Sequence, residues 1–179
     1  MKYLIVVLFL VFPLSLLSQN NSESFHLNSI AISPGIYFDN STSGLVINGE
    51  LSFAYKSNLF TFSATTGSEV NFFDNHDNFY SLNLLYGREF SLGRKFSIDA
   101  HAGIGYFSFK STRYHWEGDE SILIDNPRTT IGLPVSARVR YKFNDFISLG
   151  LKFEENFNSV NSVFNTGVIV QWNFKKRKK

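Results

Sequence analysis

The sequence contains no cysteine, which excludes structural disulfides and also a lipid-modified cysteine at a processed amino terminus. Beyond the first twenty residues no apolar run is long enough to form a spanning helix, and no segment carries a convincing helical period. A basic groove with interleaved aromatics is missing as well. The formal net charge of +2 conceals a division along the chain. Leaving out Lys2 and the run KKRKK at 175–179, eleven basic residues stand against fifteen acidic ones. A body of that balance has no nucleic acid partner. The basic run reads as a solvated tail, with attraction to an anionic surface as the lesser reading.

What is present begins with MKYLIVVLFLVFPLSLLSQ: one positive charge at Lys2, an apolar run from Tyr3 to Leu17, and a polar boundary at Ser18 and Gln19. That is the layout of a secretory signal peptide, with cleavage expected near Ser18 or Gln19. Leu16 stands where a small residue is preferred for a cut after Ser18, so an uncleaved anchor is the alternative. The expected organisation is a signal peptide over 1–19, one domain over 20–174 and a basic tail over 175–179.

Within the domain, apolar and polar residues alternate. TIGLPVSARVRYKF, from Thr130 to Phe143, does so without an error, so it is a strand with two unlike faces. Eight such segments are expected, at roughly 27–38, 44–56, 59–72, 79–90, 96–109, 129–143, 146–157 and 163–174. Their connections alternate between short turns and longer loops. An even number of antiparallel strands of about ten residues, with short turns on one side, is the layout of a transmembrane barrel.

Position along the apolar stripes decides which face looks inward. Aromatics gather toward the short turns (Phe53, Phe60, Tyr86, Tyr141, Trp172) and toward the long loops (Phe38, Tyr80, Tyr106, Phe157), while Leu84, Val135 and Leu151 occupy strand middles. Aliphatic centres between two aromatic bands match a lipid-facing belt. The opposite face is rich in Ser, Gly, Asn and Thr, which suits a narrow lumen filled by side chains.

With AHAGIGYFSF in the fifth segment, the alternating TGVIVQWNF ending at Phe174, and a signal peptide followed by Gln19, the chain resembles the small eight-stranded outer-membrane barrels of the OmpA and OmpX type, in the form common among Gram-negative Bacteroidota. The resemblance spans the mature chain and implies an all-β, eight-stranded antiparallel up-and-down transmembrane β-barrel in the cell outer membrane. It also implies that a terminal aromatic guides insertion, although here KKRKK follows Phe174. Pro34 and Pro134 each remove a ladder donor, so a bulge or local irregularity is expected at both.

The inward charges divide by sign: Glu50, Glu69, Glu89 and Asp99 on strands two to five, and Arg138, Arg140, Lys142 and Lys152 on six and seven, with Glu154 the exception. They are expected to meet across the lumen as a structural network, because buried charges survive when paired. A proton or ion pathway is the alternative. His101 shares the inward face and is expected to be a hydrogen-bonded lumen residue rather than a catalyst.

Two loop clusters, Asp74, His76, Asp77 and His115, Glu117, Asp119, Glu120, have metal-ligating types but no recognised ligand spacing. A lipid-acyl hydrolase or protease site would draw on His76 or His115 with Asp77 and nearby serines, again without supporting spacing. No catalytic, cofactor or metal site is therefore expected. The segment STRYHWEGDESILI turns at Gly118-Asp119 as a hairpin, placing Asp99 opposite Arg138 and Ile104 opposite Leu133. Strands five and six then protrude as a ribbon over 110–128, with Arg113, Tyr114, His115 and Trp116 as the candidate interaction loop. Aromatics packed back on the barrel rim, or set among headgroups, are the alternative for that ribbon.

The expected role is non-enzymatic: envelope structure or surface interaction by a monomer embedded in outer-membrane lipid, with an extracellular protein or surface ligand as partner of the ribbon. The alternatives are a narrow porin-like conduit for small solutes and a soluble periplasmic lipid-binding barrel.

Overall fold

The computed structural model describes residues 25–40, 42–70, 76–117 and 120–174, and of residue 76 and residues 112–125 the backbone alone. The signal-peptide segment and the basic tail lie outside the described residues. Strict period-two patterning gives eight strands: β1 (His26–Phe38), β2 (Ser43–Tyr55), β3 (Asn58–Glu69), β4 (His76–Leu92), β5 (Phe96–Glu117), β6 (Glu120–Lys142), β7 (Ile147–Phe157) and β8 (Val163–Asn173). Each pairs antiparallel with its sequence neighbour, and β8 closes on β1.

Short turns join β2 to β3 through Lys56, which takes a left-handed backbone with φ of 57°, and β4 to β5 through Gly93, with φ of 80°. At the third short turn the Asn144 carboxamide oxygen accepts the amides of Phe146 and Ile147, both at 2.8 Å. This is the side-chain mimicry of a turn for which Asn is suited.

The registers fix the barrel's stagger. Cross-strand partners lead from Leu27 through Phe53, Phe60, Tyr86, Ala102, Val135, Glu155 and Phe164 back to Phe38. The circuit therefore climbs from the short-turn end to the long-loop end, through a residue bulged between Leu27 and Ser29. Strand number and stagger together set a barrel's width, and eight strands leave an interior that side chains fill.

Pro34 and Pro134 each bring the local irregularity expected of them, as a gap in one ladder rather than a bulge. The β1–β8 ladder omits Ser33 and Pro34 but resumes in the same register at Gly35↔Gly167. The β5–β6 ladder omits Gly103, Ile104, Leu133 and Pro134, then resumes unshifted at Gly105↔Gly132. Each proline lacks a donor toward one neighbour only, and its other ladder continues as Pro34↔Ile47 and Pro134↔Asn156. Asp99 faces Arg138 as the hairpin register requires.

The outward face is predominantly apolar on every strand, with Arg88 on β4 and Glu155 on β7 as charged exceptions. Leu82 and Leu84 in the middle of β4 are 57% and 53% exposed, and Ile104, Val135 and Leu151 are similarly bare. Aromatic contacts edge this face: Phe60 against Tyr86 and Phe96 against Tyr141 toward the short turns, Tyr80 against Tyr106 toward the long loops. No helix among the described residues is long and apolar enough to cross a membrane.

β5 and β6 outreach their neighbours. The β6–β7 ladder begins at Leu133↔Phe157, whereas the β5–β6 ladder runs on to Glu117↔Glu120. The result is a two-stranded ribbon projecting from the long-loop end.

Candidate functional site

The lumen is layered. At mid-depth Glu50 accepts both Arg138 at 2.9 Å and Lys152 at 2.8 Å, and Lys152 also reaches Glu154 at 2.8 Å. Nearer the short turns Arg140 joins Asp99 at 2.6 Å and Glu89 at 3.1 Å, and Lys142 meets Glu89 at 2.8 Å. Arg138, Arg140 and Lys152 are each 1% exposed. Closed in this way, the charges replace lost hydration with one another. Neutral groups extend the network: Asn48 donates to the hydroxyls of Ser63 and Thr65, and Ser52 shares a hydrogen bond with Thr61.

Nine of the ten expected lumen residues thus lie inward together, but their pairing departs from simple opposition. Asp99, directly across from Arg138, is bound by Arg140, while Arg138 reaches over the lumen from β6 to Glu50 on β2. The barrel's stagger makes the diagonal and cross-lumen partners nearer in height than the ladder partner. Glu69 does not join the network. It sits toward the long loops, where its carboxylate accepts the Asp77 amide at 3.1 Å. His101 packs over Gly87, where a β-carbon would strike the imidazole ring. The ring lies in electrostatic reach of Glu50 and Arg138. The hydrogen bond expected of it is not seen: among the described residues neither ring nitrogen meets a partner.

Above the charges lies a layer that the sequence reading missed. Tyr37, Val46, Phe79, Phe107 and Val163 form a buried apolar cluster inside the barrel, backed by Phe109. Phe79 meets Tyr37 edge-on at 5.0 Å and stacks on Phe107 at 5.7 Å. Gly67 leaves room for Phe79, whose ring a β-carbon there would strike. The available signal was parity, since positions 37, 79 and 107 fall on the inward stripe near the loop ends of their strands.

Of the loop clusters, Asp77 is buried and accepts the Ser111 hydroxyl at 2.8 Å. The structures of Asp74 and Asp119, and the side chains of His76, His115, Glu117 and Glu120, lie outside the described residues, as do the side chains of Arg113, Tyr114 and Trp116. Among the described residues no three His, Cys, Asp or Glu side chains come together in a metal-holding group.

This architecture recurs in solved structures at low sequence identity. Neisserial surface protein A superposes with a TM-score of 0.61 at 14% identity, covering 86% of this chain and 100% of that one. A major outer membrane protein from Thermus thermophilus gives 0.60 at 12%, covering 83% and 100%. Ail, the attachment invasion locus protein of Yersinia pestis, gives 0.59 at 11%, covering 85% and 99%. The fold is accordingly that of the small eight-stranded outer-membrane barrels. No curated protein sequence matches the chain. A family model described as "Protein of unknown function (DUF3575)" matches residues 45–141, from the start of β2 almost to the end of β6 and so over half the sequence, and the chain belongs to that family.

Proposed function

We propose that the chain is exported by its first 19 residues and works as a monomeric outer-membrane barrel with a filled lumen, without enzymatic activity. Its task is envelope structure or surface interaction. The observation that carries the reading is the outward apolar face, continuous over eight strands and edged by aromatic rings, around an interior of paired charges. A soluble barrel would place those faces the other way round. The test is cell fractionation joined to planar-bilayer recording. The protein is expected in detergent-extractable membrane with no steady conductance. Recovery as soluble periplasmic material removes the membrane reading, and a stable conductance that changes on replacing Arg138 or Arg140 replaces the filled lumen with a conduit.

A charge placed at mid-depth on the outward face gives a second check. Leu84→Lys is expected to cost about 2 to 4 kcal/mol of stability in a bilayer, measured by denaturant unfolding in vesicles. Ser81→Lys, one strand face away, would act through lumen packing and leave the dependence on bilayer thickness unchanged. Equal unfolding midpoints for Leu84→Lys and the parent would count against a lipid-facing position.

The ribbon is the proposed interaction element, because 120–132 of β6 run beyond the β7 ladder and leave an edge to which an extended segment can add. Deleting 111–126 and bridging with a short Gly-containing turn should leave a barrel resistant to heat and protease but without surface or matrix binding. Unchanged binding ends the nomination, and failure to fold assigns the ribbon to the scaffold.

A further inference from the structure

The charges are sorted by height. Among the described residues the short-turn side carries five basic residues (Lys56, Arg88, Arg94, Lys95 and Lys142) against two acidic ones (Glu89 and Asp145). On the long-loop side the balance reverses, with Lys110, Arg113 and Arg128 against seven described acids that include Asp39, Glu69, Asp77 and Glu155. The lumen between them is neutral, with Arg138, Arg140 and Lys152 against Glu50, Asp99 and Glu154.

At the basic end a cavity of about 440 Å³ opens beside the lumen mouth, lined by Arg94, Lys95 and Lys142 with Asn28, Asn144 and Asn173 among its walls. Its two acids are Glu89, which is held by Arg140 and Lys142, and Asp145. The turn bearing Arg94 and Lys95 is fixed, because the Lys142 amide donates to the Lys95 carbonyl at 2.7 Å. Lys95 also lies over the Tyr141 ring at 5.5 Å. Tyr141 in turn touches Phe96 and Phe143, which stand about half exposed on the outward apolar face. Cations and amides therefore open at the same depth as a band of bare aromatic rings. A soluble anion would use only the polar half of this arrangement, whereas a phospholipid supplies phosphate for the cavity and acyl chain for the rings.

We propose that this end binds the headgroup phosphate of an anionic phospholipid in the leaflet it faces, with Arg94 and Lys95 as the headgroup contacts. The inference rests on the membrane reading above. In the sequence, Phe174 is followed by five basic residues, 175–179, whose charge adds to the attraction of the chain for such a surface. Phe174 itself is tied down by its amide donating to the Asn28 carbonyl at 2.8 Å, beside the cavity.

The experiment uses the full mature chain refolded into nanodiscs of phosphatidylcholine with an equal amount of phosphatidylglycerol, and reads retained lipid by native mass spectrometry. The parent should retain phosphatidylglycerol over phosphatidylcholine by about thirtyfold, the preference expected from two cations at a membrane surface. Arg94→Gln with Lys95→Gln should bring the ratio near parity, while Arg94→Lys with Lys95→Arg keeps it. Excess soluble glycerophosphate should displace nothing. Equal retention by the parent overturns the proposal, as does an undiminished preference in the glutamine variant. A preference abolished only by removing 175–179 moves the contact to the tail and overturns the assignment to the turn. Displacement by glycerophosphate overturns the lipid source, and binding to isolated peptidoglycan without a lipid preference overturns the partner class. Insertion into discs of phosphatidylcholine alone is scored separately by heat-modifiable migration. Its failure removes the membrane reading itself, and this inference with it.

Discussion

Glu50→Gln is expected to destabilise the barrel by about 3 to 5 kcal/mol, because it removes the acid shared by two buried cations. Lys152 retains Glu154 at 2.8 Å, but Arg138 has lost the carboxylate it reaches across the lumen. A guanidinium 1% exposed has no water to replace that partner. The measurement is the unfolding midpoint in vesicles, with the double variant Glu50→Gln, Arg138→Met as the decisive arm. Removing both members should recover much of the loss, since a well-packed apolar replacement of a buried pair is often near neutral. If the single variant unfolds with the parent, the mid-depth charges are hydrated and the filled-lumen reading fails there.

Phe107→Ala is expected to cost about 3 to 5 kcal/mol, through lost apolar contact and the cavity left behind. Phe107 is fully buried, stacked on Phe79 and enclosed with Tyr37, Val46 and Val163, so no neighbouring chain end can collapse into the space without opening the sheet. Phe107→Leu should lose much less, because most of the volume is kept. The same variant tests the layering of the interior. Bilayer recordings of Phe107→Ala should remain silent, because two tiers of ion pairs lie beneath the apolar layer. A conductance that appears on removing this one ring would identify the apolar layer, rather than the charges, as the closing element.

Eight strands, their faces and the β5–β6 register were legible in the sequence because they depend on local properties of the chain. Side chains alternate across a strand whatever surrounds it, so the stretch Thr130 to Phe143 declared two faces by itself. The Gly118-Asp119 turn signal fixed the hairpin register, and Asp99 does stand across from Arg138. The banding of aromatics around aliphatic centres separated outward from inward, since an interface at two depths leaves a pattern along each strand. The irregularity expected at Pro34 and Pro134 takes the form of a ladder gap rather than a bulge, because a missing donor weakens the pairing on one side while the other side holds the register.

Tertiary structure decided which groups meet inside. The link between Glu50 and Arg138 joins β2 to β6 over the lumen, and its existence depends on the height of each strand around the closed circuit. That height comes from the stagger accumulated over eight ladders, which no single segment records. The same stagger lifts Glu69 out of the network and gives Asp99 to Arg140. It also gathers Tyr37, Phe79 and Phe107, aromatics near the loop ends of otherwise mostly small and polar inward stripes, into one layer. Alternation told which way every side chain points. Only closure of the barrel set the level at which each arrives, and contact requires both.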